Sequence, residues 1–112
     1  MDEYIESCLN DILISIEEIE SYFKKETMLY AIFKNDILRQ RAVERNVEII
    51  GEAINRILKR EPTFQLPNSR AIIDTRNRVA HGYDSVTPEF LWGLIIKHIP
   101  VLKVEIEKLL NN

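Results

Sequence analysis

The sequence predicts an all-α fold, an antiparallel bundle of four to five helices. Apolar residues recur at steps of three and four along most of the chain, the spacing that keeps side chains on one face of an α-helix. The chain has only three glycines, all after position 50, and four prolines, so nothing indicates a strand-turn-strand organisation. At 112 residues it is long enough for one modest core, and we expect a single domain over residues 1–112.

The first helix follows from a regular apolar stripe among acidic residues. This stripe predicts a helix over about residues 3–24, and its members are Ile5, Leu9, Ile12, Ile16, Ile19 and Phe23. Residues 26–34 are apolar but lack clear capping residues, so they are either a loop or a short turn of their own.

A long second helix is predicted from Asn35 or Asp36 to just before Pro62, over about 25 residues. Gly51 lies inside it at a cost of ~1 kcal/mol relative to alanine, which indicates close approach of another helix. The arginines on this helix fit a solvated face on which they pair with Glu44, Glu48 and Glu52, and they are Arg39, Arg41, Arg45 and Arg56.

The third and fourth helices are indicated by their capping residues. Ser69 resembles an N-cap for a short third helix that stops at Gly82. Thr87 and Pro88 begin the fourth helix, because threonine is a favoured cap and proline fits the first helical position. Its apolar side continues to the end of the chain, and we expect Pro100 to kink or briefly break it.

Composition and charge argue against several classes of protein. No segment approaches the ~18 consecutive apolar residues of a membrane span. Residues 1–20 hold seven acidic residues and no Lys or Arg, unlike the basic start of a signal peptide. The single cysteine, Cys8, cannot form an internal disulfide and fits a reducing compartment. We therefore expect a cytoplasmic protein with no membrane contact.

Charge is distributed unevenly, which bears on nucleic-acid binding. The net charge is −3, yet residues 1–20 carry −7 and residues 21–60 carry nine basic against five acidic groups, or +4. Phosphate contacts supply most of the affinity of nucleic-acid binders, so the acidic total argues against such a function. That objection weakens if the acidic first helix lies away from a basic cleft.

The densest group of reactive side chains is the stretch from Arg76 to Tyr83, Arg-Asn-Arg-Val-Ala-His-Gly-Tyr. A structural interpretation is that His81 sits in the last turn of a helix, where the macrodipole favours it, and that Gly82 ends the helix. A zinc site is rejected, because the chain has no cysteine pair and its other histidine, His98, stands alone on a different helix. No metal and no cofactor are predicted.

Phosphoryl transfer on RNA without a metal is the chemistry that needs these side chains together. A histidine can move protons near neutral pH, and a guanidinium can hold phosphate oxygens as charge builds. On a regular helix Asn77 and His81 share a face, whereas Arg76 and His81 diverge by roughly 140°. Arginine and histidine therefore converge on one phosphate only if the helix unwinds near Gly82 or if two copies pool their residues.

The motif resembles that of a known family. Arg76-Asn-Arg-Val-Ala-His81-Gly-Tyr83 is similar to the Arg-x4-His-x-Tyr motif of HEPN ribonucleases, specifically the HepT-like toxins encoded beside a minimal nucleotidyltransferase antitoxin. The stretch from Gln40 to Asn55, Gln-Arg-Ala-Val-Glu-Arg-Asn-Val-Glu-Ile-Ile-Gly-Glu-Ala-Ile-Asn, is similar to the long core helix of these proteins. The resemblance covers almost the whole chain.

This resemblance implies a HEPN-like bundle that forms a homodimer with both motifs facing a shared cleft. It implies a metal-independent endoribonuclease toxin of a type II/VII-like toxin–antitoxin pair, which attacks RNA through the 2′-hydroxyl and leaves a 2′,3′-cyclic phosphate. Arg76 and His81 would be catalytic with Asn77 in support. Tyr83 would be the tyrosine to which the cognate nucleotidyltransferase antitoxin transfers AMP. The basic residues that we expect to make weaker RNA contacts are Arg78, Arg45 and Arg41.

Two other functions remain open from the sequence. The chain could be a non-catalytic helical subunit that binds the substrate of a nucleotidyltransferase or acts as its partner. A purely structural bundle would explain the helical periodicity but not the arginines, asparagine and tyrosine at one helix end.

Overall fold

The computed structural model describes residues 1–81 and 86–111. The α-helices, in chain order, are α1 (Glu3–Ser21), α2 (Tyr30–Phe33), α3 (Ile37–Arg60), α4 (Ser69–His81), α5 (Pro88–Gly93) and α6 (Ile99–Leu110). A 3₁₀ turn precedes α2, and a π-helical turn joins α5 to α6, so that α5 and α6 belong to one continuous helical stretch. Within the described residues there is no strand, which confirms the predicted all-α class.

Helix α1 lies antiparallel to α3 and is tied to it near both ends. Asp2 caps α1 by accepting a hydrogen bond from the Tyr4 amide at 2.7 Å, and it also accepts one from Arg60 Nε at 2.8 Å, at the last residue of α3. Near the other end of α1, Asn46 of α3 accepts a hydrogen bond from the Tyr22 hydroxyl and donates one to Glu18 at 2.8 Å. The Asn46 side-chain amide thus satisfies the hydrogen-bonding groups of both Tyr22 and Glu18.

Helix α3 is the central element, because it packs against both α1 and α4. Its apolar stripe meets the stripe of α1, as the periodicity predicts, and the fully buried members are Ile5, Leu9, Ile12, Ile16, Val43, Val47, Ile50, Ile54 and Ile57. Every apolar position that predicted the first helix is buried except Phe23, which is half-buried. The helix itself ends at Ser21, three residues earlier than expected.

The segment that the sequence left open contains a short helix with a packing role. Phe33 at the end of α2 is completely buried and lies 5.9 Å from the ring of Phe23 and 5.4 Å from the ring of Trp92. The Arg39 guanidinium lies over the Phe23 ring at 5.4 Å. These rings connect the end of α1, the turn between α1 and α3, and α5.

The last helical stretch follows its predicted capping and interruption. The Thr87 side chain accepts a hydrogen bond from the Phe90 amide at 3.2 Å, and Pro88 occupies the first turn of α5. Pro100 lies in the first turn of α6, directly after the π-helical turn Leu94–His98. Because proline cannot donate to the preceding turn, the helix changes its hydrogen-bond register there rather than continuing unaltered. The helix is not broken at Pro100, and the expected interruption takes the form of a π-helical turn within one continuous helical stretch.

One capping prediction was wrong in detail. Ser69 is the first residue of α4, and its hydroxyl donates to the Leu66 carbonyl at 2.6 Å instead of accepting from the helix. The preceding Asn68 has a positive φ of 63°, and its carbonyl accepts the Ile72 amide at 3.2 Å. Asparagine tolerates this left-handed conformation better than most residues, so it makes the turn into α4.

Candidate active site

Arg76 is held in a tight contact between α3 and α4. A Cβ atom built on Gly51 would lie 2.5 Å from Arg76 Cβ and 2.9 Å from Arg76 Cγ, which is closer than side chains can approach. The expected close approach at Gly51 is therefore confirmed, and the residue that fills the space is Arg76. The glycine allows the arginine stem to lie directly against the α3 backbone.

The Arg76 guanidinium points to the edge of this contact. Its Nη1 donates to Asn77 Oδ1 at 3.0 Å, and its Nη2 lies 3.5 Å from a carboxylate oxygen of Glu52. The Nε atom is buried and has no hydrogen-bond partner among the described residues. An arginine carries five N–H donors in a fixed planar fork, so the two contacts leave donor capacity for an anion.

Asn77 and His81 lie on α4 as the spacing predicts. Four residues separate them, so they share one face of the helix, and His81 is its exposed last residue. The helix runs without interruption from Ser69 to His81. Over those five residues the Arg76 and His81 directions diverge by roughly 140° and the helix rises about 7.5 Å. Within one copy, the part of α4 that the structure describes does not unwind to bring the two side chains together.

A polar groove of about 380 Å³ opens beside Arg76. Its walls are formed by Arg76 and by one face of the second half of α3, namely Glu52, Asn55, Arg56 and Lys59. The four α3 residues are spaced at i, i+3, i+4 and i+7, which places them on one stripe. Three cations face one carboxylate here, so the groove is locally basic in a chain whose net charge is −3.

The direction of this groove follows from the helix pairing. Arg76 faces Gly51, and the eight-residue connector between Arg60 and Ser69 brings the end of α3 near the start of α4. The two helices are therefore antiparallel. Moving along α3 from Gly51 toward Lys59 leads away from the His81 end of α4, so the groove extends from Arg76 on the side opposite to His81.

The other sequence-predicted residues lie elsewhere. Arg78 is exposed on another side of α4, where it lines a separate groove that also contains Arg70 and Phe90. Gly82 and Tyr83, the predicted helix stop and modification site, lie outside the described residues.

Arg41 and Arg45 form ion pairs within α3. Each donates to a glutamate three residues later at 2.7 Å, Arg41 to Glu44 and Arg45 to Glu48, so the expected pairing on this face is confirmed for both. The hydrogen bond that Arg41 donates to the Glu44 carboxylate raises the pKa of the Arg41 guanidinium. Their RNA contacts stay a prediction.

A metal centre and a larger groove are two other kinds of candidate site. Among residues 1–81 and 86–111, no three His, Cys, Asp or Glu side chains are grouped to hold a metal ion. A larger groove, about 750 Å³, is mainly apolar, and its lining includes Leu58, Phe64, Leu66, Val101 and Val104. None of the predicted site residues that the structure describes lines it, so its size does not bear on the chemistry at Arg76.

Sequence reasoning did not single out Asn55 and Lys59, and it placed Arg56 on a solvated face paired with a glutamate of its own helix, a pair that the described residues do not form. Glu52 was assigned to an ion pair with an arginine of its own helix, whereas it contacts Arg76 on α4. The signal that was available was Gly51. If α4 packs antiparallel to α3 with Arg76 at Gly51, the α3 stripe that begins at Glu52 must lie beside Arg76.

An all-helical bundle that presents arginine, asparagine and histidine near one helix end, beside a basic groove, fits the class of helical nucleases. The chain belongs to the ribonuclease HepT-like family, whose family model matches residues 12–109. The resemblance noted from the motif is thereby confirmed at the level of the family.

Individual relatives agree with this assignment. A protein of Caldanaerobacter subterraneus subsp. tengcongensis named "Putative RNase TTE0752" is 29% identical over 111 residues, covering 97% of this chain and 93% of the relative. A Methanocaldococcus jannaschii protein named "Putative RNase MJ1216" is 32% identical over 110 residues, covering 96% and 88%. A "Gamma-glutamylcyclotransferase and putative RNase" of the same organism is 38% identical over 106 residues, but only 46% of that protein is covered. No solved structure matches the chain significantly.

The helices also bear on membrane association. Within the described residues, none combines the length and the apolar character that crossing a bilayer needs.

Proposed function

We propose that this chain is a metal-independent endoribonuclease toxin that acts in the cytoplasm as a homodimer and is neutralised by a nucleotidyltransferase antitoxin. The observation that carries the proposal is the Arg76 side chain, whose stem packs against Gly51 while guanidinium donors remain unused, five residues before His81. Membership of a ribonuclease family supports RNA as the substrate.

The proposed reaction is a transesterification within the RNA strand. The ribose 2′-oxygen attacks the adjacent phosphorus, the P–O5′ bond breaks, and the products carry a 2′,3′-cyclic phosphate and a free 5′-hydroxyl. His81 either takes the 2′-hydroxyl proton or gives a proton to the departing 5′-oxygen. Arg76 holds the non-bridging oxygens as negative charge develops, and Asn77 orients the guanidinium through its 3.0 Å hydrogen bond.

A dimer is proposed because of the α4 geometry. Arg76 and His81 diverge on an uninterrupted helix, so one phosphate reaches both most readily when two copies face each other and each supplies one of the two residues. A sedimentation measurement that finds only monomer at working concentration would contradict this.

The first experiment tests catalysis. Purified protein is incubated with total RNA in excess chelator, and the products are examined for cyclic phosphate ends. We expect cleavage that is lost in Arg76→Ala and in His81→Ala, and growth arrest on expression that is lost in the same variants. Arg70→Ala is the control, since it removes an exposed arginine of the same helix that lies outside the Arg76 groove. If both variants still cleave, these residues are not the catalysts. Absence of cleavage with tight binding of a nucleotidyltransferase would favour the non-catalytic subunit instead.

A second experiment tests whether the two residues act across the dimer. Arg76→Ala and His81→Ala are each inactive alone, and the two preparations are then mixed and allowed to exchange subunits. A site shared between copies regains Arg76 from one subunit and His81 from the other. Random exchange puts one intact site in half of the dimers, so activity returns to about a quarter of wild type. If each copy uses its own pair, mixing restores nothing.

Neutralisation is proposed to act on Tyr83. Tyr83 follows His81 by two residues in the sequence, so an AMP group on it would add a bulky anion that repels the RNA backbone. Co-expression with the cognate nucleotidyltransferase should add the mass of one AMP to the peptide that contains Tyr83 and should relieve growth arrest. Tyr83→Phe should prevent both effects. Relief of arrest without any AMP on that peptide would contradict the proposed modification.

A further inference from the structure

We propose that the groove formed by Asn55, Arg56 and Lys59 beside Arg76 binds RNA backbone phosphates next to the one that is cleaved. This inference rests on the proposed function and deepens it, because it names a substrate-binding subsite apart from the catalytic residues. The groove begins at the Arg76 guanidinium and extends along α3 on the side opposite to His81.

The charges in the groove suit a polyanion. Arg56 and Lys59 are exposed and form no ion pair with any residue in 1–81 or 86–111. Among the described residues, Glu52 is the one acidic residue lining it, and it already contacts Arg76. Two cations are thus available for phosphate oxygens without first breaking an internal ion pair.

The length of the groove fits several nucleotides. Lys59 lies eight residues beyond Gly51, the residue that Arg76 packs against, and eight residues of α-helix rise about 12 Å. At roughly 3.4 Å per stacked nucleotide, this distance spans about three. An RNA strand that places its scissile phosphate at Arg76 can therefore lay its neighbouring phosphates beside Arg56 and Lys59.

Asn55 contributes a neutral contact. Its side chain is half-buried in the groove wall and has no hydrogen bond to a residue that the structure describes. An amide offers both a donor and an acceptor, so it can bind a phosphate oxygen or a ribose hydroxyl. We assign Asn55 a positioning role, since it has no proton to transfer.

Binding is tested apart from cleavage. The affinity of the His81→Ala protein for an RNA oligonucleotide is measured over a range of salt concentrations, with and without Arg56→Gln and Lys59→Gln together. At about 0.7 per phosphate contact, the slope of log affinity against log salt should fall by about 1.4, with roughly tenfold weaker binding at low salt. Asn55→Ala should weaken binding about 2- to 10-fold without changing the slope, because it removes a hydrogen bond and no charge.

The matched control is Lys97→Gln with Lys108→Gln, which removes two exposed positive charges far along the chain from the groove residues. It should leave affinity within about twofold, since these lysines contact no phosphate in this arrangement. Equal losses in the two double variants would overturn the subsite, because the effect would then reflect net charge.

Cleavage kinetics of protein that retains His81 distinguish a failure of this subsite from a failure of the proposed nuclease activity. The Arg56→Gln and Lys59→Gln protein should show a raised KM for an oligonucleotide with little change in kcat, and a dinucleotide should be affected much less. If wild type cleaves RNA but the KM for the oligonucleotide does not change, the subsite is wrong and the nuclease stands. If wild type cleaves nothing while the salt slope still falls in the variant, the groove binds RNA and the nuclease proposal is wrong.

Discussion

The two halves of α3 carry similar polar side chains and use them differently. Before Gly51, Arg41 and Arg45 pair with glutamates of the same helix. Asn46 is buried and forms hydrogen bonds with Tyr22 and Glu18. After Gly51, Asn55, Arg56 and Lys59 line the groove beside Arg76 without an ion pair or side-chain hydrogen bond to any described residue. In the first half these polar groups pair within α3 or with the α1 side of the bundle, whereas in the second half Asn55, Arg56 and Lys59 stay unpaired among the described residues. They lie between Glu52, which contacts Arg76, and Arg60, which pairs with Asp2.

Gly51 is the boundary between the halves, and its substitution should have the largest effect on stability. In Gly51→Ala the new methyl group would meet Arg76 Cβ at 2.5 Å, and this atom is fixed close to the α4 backbone. Overpacking of this kind costs about 1–3 kcal/mol, against a gain of roughly 1 kcal/mol in helix propensity. We expect a net loss of up to about 2 kcal/mol in the free energy of unfolding, measured by urea denaturation, and reduced RNA cleavage because Arg76 shifts.

Gly93→Ala is the matched control for this prediction. Gly93 is also helical, with φ −58° and ψ −42°, but beyond its chain neighbours and its own helix backbone no atom of the described residues lies within 4 Å of a Cβ built there. The propensity gain is then unopposed, so the variant should be as stable as wild type or more stable by up to ~1 kcal/mol. If both alanine variants gain stability, the tight contact at Gly51 is not what separates the two halves.

The asparagines of α3 give the second test of the comparison. Asn46→Ala removes two hydrogen bonds from a side chain that is 2% exposed, and it should cost about 1 kcal/mol, because Tyr22 and Glu18 can partly recover water. Asn55→Ala removes no hydrogen bond to a described residue, so its unfolding free energy should change by less than about 0.5 kcal/mol. Urea denaturation of both variants under the same conditions measures the two unfolding free energies. Equal losses would mean that Asn55 also serves the bundle.

The fold was predictable because each helix follows from a local pattern. The apolar steps of three and four gave α1 and α3, and Thr87 with Pro88 gave the start of α5. Residues 26–34 were not predictable, since the short α2 depends on Phe33 packing between Phe23 and Trp92, which are distant in sequence. The capping role of Ser69 was wrong for a different reason, because the left-handed conformation of Asn68 makes the turn into α4 and leaves the Ser69 hydroxyl to donate backward to Leu66.

The candidate site divides in the same way. Arg76, Asn77 and His81 were predictable because they share one helix, where spacing fixes relative directions. The groove residues Asn55, Arg56 and Lys59 were not, because they meet Arg76 only through the pairing of α3 with α4. Sequence periodicity gives the face of a helix but not the register of its neighbour.

The smallest expected effect belongs to Arg45, in the paired half of α3. Its ion pair with Glu48 is 2.7 Å long, but the arginine side chain is 66% exposed, and such helical surface pairs contribute about 0.3–0.5 kcal/mol. Arg45→Ala should therefore lower the free energy of unfolding by no more than this. Its effect on RNA affinity should also be smaller than that of Arg56→Gln, because Arg45 must leave Glu48 before it can contact a phosphate. Titration of both variants with the same oligonucleotide measures the difference, and a larger loss for Arg45→Ala would reverse the roles assigned to the two halves of the helix.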